Sequence, residues 1–283
     1  MTAVTTITVA RRALDRLRTA AVVAALACAS NGAHASFASV IIDDFAFTAT
    51  PGNATSFIFA PTDTLFNSWD LETFAGLAQT SAQTGSTSDW PPFLTRTATG
   101  PQASATGTFQ RGTDPSTAQP TPSFSLSATA NPLTNGVLYQ GLGQWFTSGA
   151  YCFYDSALDP NQAFDGTSAF CTGMGSIDFF IQYDLNVVRG IGGIPTSAYA
   201  DFTVDSFSLG SFTDFASTVA NTGSRLDQQL LWTATLGAGD AELFSLTGNV
   251  VAQAVPEPGV LPLVALGLVG LAAMRRRAVR SVS

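Results

Sequence analysis

Residues 177–188 read Ile-Asp-Phe-Phe-Ile-Gln-Tyr-Asp-Leu-Asn-Val-Val. Ile177, Phe179, Ile181, Tyr183, Leu185 and Val187 alternate with Asp178, Phe180, Gln182, Asp184, Asn186 and Val188. A two-residue period puts one set of side chains on one face of an extended chain, so this segment predicts a strand with one buried face. The same pattern recurs on both sides. Phe124, Leu126, Ala128 and Ala130 alternate with Ser and Thr, and Leu230, Trp232, Ala234 and Leu236 do likewise. Phe244, Leu246, Val250 and Ala252 share one parity across Gly248. Between Tyr199 and Gly210 the apolar parity flips from Phe202 and Val204 to Phe207 and Leu209, which predicts a β-bulge or a tight turn near Ser206.

Further candidate strands lie at 40–49, 56–60, 103–110 and 137–146. Turn signals punctuate them at Pro51-Gly52-Asn53, Asn131-Pro132, Asn135-Gly136, Gly192-Gly193 and Gly237-Ala238-Gly239. No long segment shows a 3.6-residue period. Roughly ten short strands with such turns predict an all-β fold, an antiparallel sandwich of jelly-roll or related topology. Residues 79–122 are rich in Ser, Thr, Gly, Gln and Pro. They read as long surface loops around one weak strand at 103–110, with a linker between two small domains as the alternative.

Composition narrows the chemistry. All 21 Phe, 4 Trp and 5 Tyr fall within residues 36–254, enough aromatic surface for a sizeable core. The chain has no Lys, and its single His is His34. Residues 36–254 hold four arginines, Arg96, Arg111, Arg189 and Arg225, against 18 acidic residues, a net charge of −14. That surface repels nucleic acid and anionic headgroups. A body without His or Lys cannot build Ser-His-Asp or Cys-His machinery, a Schiff-base lysine or a His-ligated zinc site.

Both ends look like handles. Arg11, Arg12, Arg16 and Arg18 precede an apolar run at 20–29, and Ala33-His34-Ala35 supplies a small-x-small site. Residues 1–35 are therefore expected to be a signal peptide cut between Ala35 and Ser36. The residues after Arg11-Arg12 fit a twin-arginine pattern poorly, and Ala25 is small for a lipoprotein site at Cys28. At the other end Val255-Pro256-Glu257-Pro258 leads into 16 apolar residues at 259–274 and then Arg275-Arg276-Arg277. At about 1.5 Å per residue the apolar segment spans roughly 24 Å, a short transmembrane helix against a ~30 Å hydrocarbon core. The arginines would stay cytoplasmic and leave the body outside. Pro256 and Pro258 interrupt any helix or ladder entering from the preceding strand.

This tail resembles the PEP-CTERM sorting signal: a Val-Pro-Glu-Pro motif, a short hydrophobic span and a terminal arginine cluster, in that order. The resemblance covers residues 255–283 and leaves the body untouched. It implies recognition by exosortase, a membrane-embedded transpeptidase-like enzyme, transient anchoring in the inner membrane, and delivery to the cell surface or beyond. It also implies a link to exopolysaccharide and biofilm matrix. The expected organisation is thus a signal peptide (1–35), an extracytoplasmic β-sandwich (36–254) and a sorting and anchor segment (255–283).

Within the body, Cys152 and Cys171 are an isolated pair that an oxidising compartment would join. The bridge closes 20 residues and would stabilise by roughly 3 kcal/mol. No His or Lys is present to activate either thiol. Asp155, Asp159, Asn161 and Asp165-Gly166 fall inside that loop and are a weak candidate for Ca²⁺, although the spacing matches no standard calcium loop and an acidic turn explains it as well. No other cofactor is expected. Asp43 and Asp44 would point to opposite faces of a strand, one of them inward, while Asp201 and Asp205 read as solvent-facing. Trp69, Trp90 and Trp145 sit beside polar or turn residues and are candidates for stacking on sugars, whereas Trp232 reads as core. Gly141-Leu142-Gly143 and Gly190-Ile191-Gly192-Gly193 lack a following helix and read as turns, and Asn53-Ala54-Thr55 is a glycosylation sequon by pattern. The reading is an exported, non-catalytic surface or matrix protein. The alternatives are a secreted carbohydrate-binding module and a glycoside hydrolase working through two carboxylates.

Overall fold

The computed structural model describes residues 35–52, 56–59, 65–131, 137–155, 171–190, 196–220 and 222–254. Thirteen strands run through them: β1 (Ser36–Pro51), β2 (Ser56–Phe59), β3 (Phe66–Ala75), β4 (Ala78–Thr87), β5 (Phe93–Thr99), β6 (Ala103–Thr113), β7 (Pro120–Ala130), β8 (Tyr139–Asp155), β9 (Gly175–Val188), β10 (Thr196–Ser206), β11 (Gly210–Ser217), β12 (Arg225–Leu236) and β13 (Glu242–Ala254). They form two antiparallel sheets, ordered β12-β9-β1-β7-β6-β5 and β11-β10-β13-β8-β3-β4, with β2 added beside β8.

The alternation read from the sequence is the alternation of burial. Along β9 the six odd positions from Ile177 to Val187 are buried, and along β7 Phe124, Leu126, Ala128 and Ala130 face inward while Ser123, Ser125, Ser127 and Thr129 face out. The inward faces of both sheets meet in a single apolar core. Aromatic side chains join the sheets. Phe45 of β1 meets Phe244 of β13 at 5.4 Å, and Tyr183 of β9 meets Phe202 of β10 at 4.7 Å, while within the first sheet Phe179 and Trp232 stack with centroids 4.6 Å apart. Such pairs add about 0.5–1.5 kcal/mol each beyond the area they bury.

One sheet holds β1, β7, β9 and β12 with β5 and β6, and the other holds β3, β8, β10 and β13 with β4 and β11. The expected all-β antiparallel sandwich is present, and with first and last strands in opposite sheets its order is a related topology rather than the jelly-roll itself. Period and turn spacing decide how many strands form, but not which sheet each one joins.

The parity flip after Val204 is the tight turn of the two expected alternatives, a hairpin joining β10 to β11. Two local expectations change. Asp43 and Asp44 do not straddle the sheet, because a register shift between Ile42 and Asp44 forms a bulge. Inward positions move from Val40 and Ile42 to Phe45 and Phe47, and Asp43 and Asp44 both stay out of the core. Residues 79–122 are not loops around one weak strand. They supply β4, β5, β6 and the start of β7. Apart from Phe109 the buried residues of β5 and β6 are small, Ala98, Ala103, Ala105 and Gly107, and many outward ones are hydroxylic, so no run of large apolar residues betrays them. Gly107 has a packing reason: a Cβ there would collide with the ring of Trp145. Backbone ladders and Thr pairs hold these strands, with Thr95 and Thr108, and Thr97 and Thr106, each 3.2 Å apart between hydroxyls.

Candidate functional site

The first strand and the last meet at one end of the sandwich. Ser36 is buried and pairs with Ala130. Its hydroxyl donates to the Gln253 carbonyl at 3.0 Å. Gln253 also receives the Ser197 hydroxyl on its side-chain oxygen at 3.0 Å. The ladder of β13 ends at Ala254, which is paired with Thr196 on one side and Tyr139 on the other. The junction of Ala35 with Ser36 and the residue preceding Val255 thus leave the body from the same pole. β13 is 13 residues long, so at about 3.4 Å per residue the far pole lies roughly 40 Å away.

A protein-family model for the PEP-CTERM protein-sorting motif matches residues 254–277. The tail is a PEP-CTERM sorting signal. It directs exosortase-dependent sorting to the cell surface or extracellular space. The PEP-CTERM match begins where the β13 ladder stops, and Pro256 and Pro258 have no N–H with which to extend it. No curated protein and no solved structure is significantly similar to the chain.

Val255, Pro256, Glu257, Pro258 and Arg275, Arg276, Arg277 lie outside the described residues, as do 1–34 with His34 and Cys28, and the sequon at 53–55. Among the described residues no helix is long and apolar enough to cross a membrane; 259–274 were not among them.

At the far pole Cys152 and Cys171 form the expected disulfide, with Cα atoms 5.5 Å apart. It ties the end of β8 to the segment leading into β9. The Cys171 carbonyl also accepts the Gly239 N–H, which fastens the β12–β13 turn to the same staple. Of the calcium candidates, Asp155 lies at the end of β8, where its N–H donates to the Thr172 hydroxyl at 3.1 Å. Asp159, Asn161 and Asp165 lie outside the described residues. Among the described residues no three His, Cys, Asp or Glu side chains come together as a metal site.

All four tryptophans are buried, which removes Trp69, Trp90 and Trp145 as a sugar platform. Trp69 and Trp145 stack at 5.6 Å, and Phe109 lies parallel to Trp145 at 6.5 Å. Arg96 sits over the Trp69 ring at 5.0 Å, and Trp90 donates its indole N–H to the Ser148 carbonyl at 3.0 Å. The polar sequence neighbours of Trp69 and Trp145 are the outward half of each strand, while Trp90 lies in the connection between β4 and β5.

The buried carboxylates are committed to structure. Asp214 on β11 accepts the Tyr183 hydroxyl from β9 at 2.8 Å and pairs with Arg225 of β12 at 2.6 Å, clasping the two sheets. Burial, then the bond to Asp214, pushes the Tyr183 phenol far above its ordinary value. Glu242 accepts from the Ser208 hydroxyl at 2.7 Å and the Trp232 indole at 3.3 Å. Burial drives Asp114 up, but its bonds from Ser116 and Thr117 outweigh that and hold its carboxyl below the usual range.

One grouping escaped the sequence reading. Tyr199 on β10 and Phe215 on β11 stack with centroids 6.3 Å apart on the outer face of the second sheet, and they are 37 % and 42 % exposed. Asp201, read from sequence as a plain solvent residue, is half-buried beside them. It accepts Asn249 at 2.7 Å and bonds the Tyr199 hydroxyl; burial raises its carboxyl above the ordinary range despite both bonds. The available signal was Tyr199 itself, an aromatic out of phase with Phe202 and Val204.

Proposed function

We propose that the chain is a non-catalytic surface or matrix protein whose β body, residues 36–254, is exported by a cleaved signal, held in the inner membrane by its tail, and handed on by exosortase at the Val255–Pro258 region. The tail match carries this reading. The exit of both ends from one pole supports it, since a body tethered there holds its far pole away from the bilayer. The absence of His and Lys from the body, and the engagement of Asp114, Asp214 and Glu242 in structural bonds, speak against a hydrolase. Association with exopolysaccharide belongs to the same proposal.

Intact mass of the protein recovered from the cell surface tests it. The expected mass begins at Ser36, stops near the Pro-Glu-Pro motif and is two hydrogens lighter than the reduced chain. A mass still containing Met274 and the arginines overturns processing of the tail. A carbohydrate-binding role is a second reading, favoured by the exposed ring pair of Tyr199 and Phe215 rather than by tryptophans.

A further inference from the structure

We infer that the outer face of the β11-β10-β13-β8-β3 sheet is a binding surface for a neutral, extended polysaccharide, with Tyr199 and Phe215 as its stacking platform. The inference deepens the surface-protein reading and rests on it only for access to such a polymer.

Strand register lines up one row of side chains across five strands. Phe215 is opposite Asp201, Asp201 opposite Asn249, Asn249 opposite Gln144, and Gln144 opposite Asp70. Residues opposite one another share a face, so the row runs from an aromatic ring through a carboxylate and two amides to a second carboxylate. Neighbouring strands are ~4.8 Å apart, close to the length of one hexose ring, so successive sugars laid across the strands would meet successive side chains. Carboxylates and amides supply the acceptors and donors that sugar hydroxyls need, and apolar sugar faces stack on exposed rings. Tyr199 is set in place beforehand: its hydroxyl is bonded to Asp201, which is held in turn by Asn249. A preset ring loses little freedom on binding.

Charge selects the polymer. The body carries −14, and the row contains Asp70 and Asp201 with no cation. An acidic polysaccharide, a nucleic acid or an anionic membrane would be repelled. Isolated apolar side chains in water need no explanation, but a stacked, exposed pair of large rings beside an organised polar row does.

The test uses the full chain in mild detergent, run in native gels containing hydroxyethyl cellulose, galactomannan or dextran, with alginate as the acidic comparison. Retardation by at least one neutral polymer, and none by alginate, is expected. Tyr199→Ser with Phe215→Ser should weaken retardation about tenfold or more. Leu231→Ser, an exposed position on the opposite sheet, should leave it unchanged. Should the double variant fail to fold by circular dichroism, Gln144→Ala carries the same test and should weaken binding about threefold. Retardation by no neutral polymer, or retardation untouched in every folded variant of this face, overturns the inference. So does self-association, by sedimentation, that the ring substitutions abolish without any polysaccharide binding. None of these outcomes depends on the processing sites, which the mass measurement reads separately.

Discussion

The two outer faces of the sandwich share a geometry and differ in chemistry. On the first sheet, Thr97, Thr106 and Ser127 stand opposite one another across β5, β6 and β7, with Thr95, Thr108 and Ser125 in the next row. These rows reach an amide and a carboxylate only beyond β1, at Asn186 and Asp184 of β9, with Gln182 next along that strand. Hydroxyl meets hydroxyl: Thr95 with Thr108, Thr97 with Thr106, and Ser104 with Thr129 at 2.8 Å. On the second sheet the corresponding row is Phe215, Asp201, Asn249, Gln144 and Asp70. Short hydroxyls partnered across strands add β-branched stiffness and wettability without offering a grip. Long amides, carboxylates and rings project further and keep spare hydrogen-bonding capacity. Across β5, β6 and β7 the first face serves the fold, whereas the second has the means to hold something.

Substitutions can break that contrast, and the largest effects should come from beneath the hydroxyl face. Trp145→Ala should destabilise by about 3–5 kcal/mol, because the ring fills the space above Gly107 and between Trp69 and Phe109. Urea denaturation reads it; a Trp145 variant of normal stability would show that the ring is not core. Removing the far-pole staple by Cys152→Ser with Cys171→Ser should cost roughly 3 kcal/mol by the same measurement. Next comes the clasp between sheets. Asp214→Ala strands the Tyr183 hydroxyl and Arg225 and should cost about 1.5–3 kcal/mol.

The clasp also sets an alkaline limit. The folded-state pKa of Tyr183 lies above its ordinary value of 10.0, so its stabilisation is complete below that pH and is lost as pH rises beyond it. Tyr151, fully buried, is raised in the same direction by burial and then by the charge of Asp114. Thermal melts should therefore show no tyrosine-linked change between pH 8 and about pH 10 and a fall above it. Tyr183→Phe should flatten part of that fall; an unaltered alkaline limb would mean the phenol is not held by Asp214. The smallest effect belongs to the hydroxyl face. Thr97→Ala with Thr106→Ala should cost about 0.5–1 kcal/mol and leave polysaccharide retardation as it was.

What could be read in advance follows the size of the inward residues. β7, β9, β12 and β13 announce themselves because Phe, Ile, Leu, Trp and Val alternate with polar partners. β4 and β5 do not, and β6 does so only weakly, because Ala, Gly and Thr carry little hydropathic contrast; Phe109 is the single large inward residue of β6, and Trp145 of the other sheet covers its Gly107. The ring platform was half hidden: Tyr199 is out of phase with Phe202 and Val204, but only strand pairing sets it beside Phe215 on the outer face. The tail was legible for the opposite reason. A sorting motif is a linear string read by another protein, so it needs no fold to be recognised. The disulfide was legible because two cysteines admit one pairing, whereas the assignment of strands to sheets depends on the whole chain at once.

The hydrogen bond between Ser36 and Gln253 means that entry and exit of the fold share a doorway. A body built that way is a cassette. It could be spliced into a surface loop of an unrelated host through two short spacers without prying the host apart. The native ends could equally be joined and the chain reopened elsewhere, for instance at the β10–β11 turn.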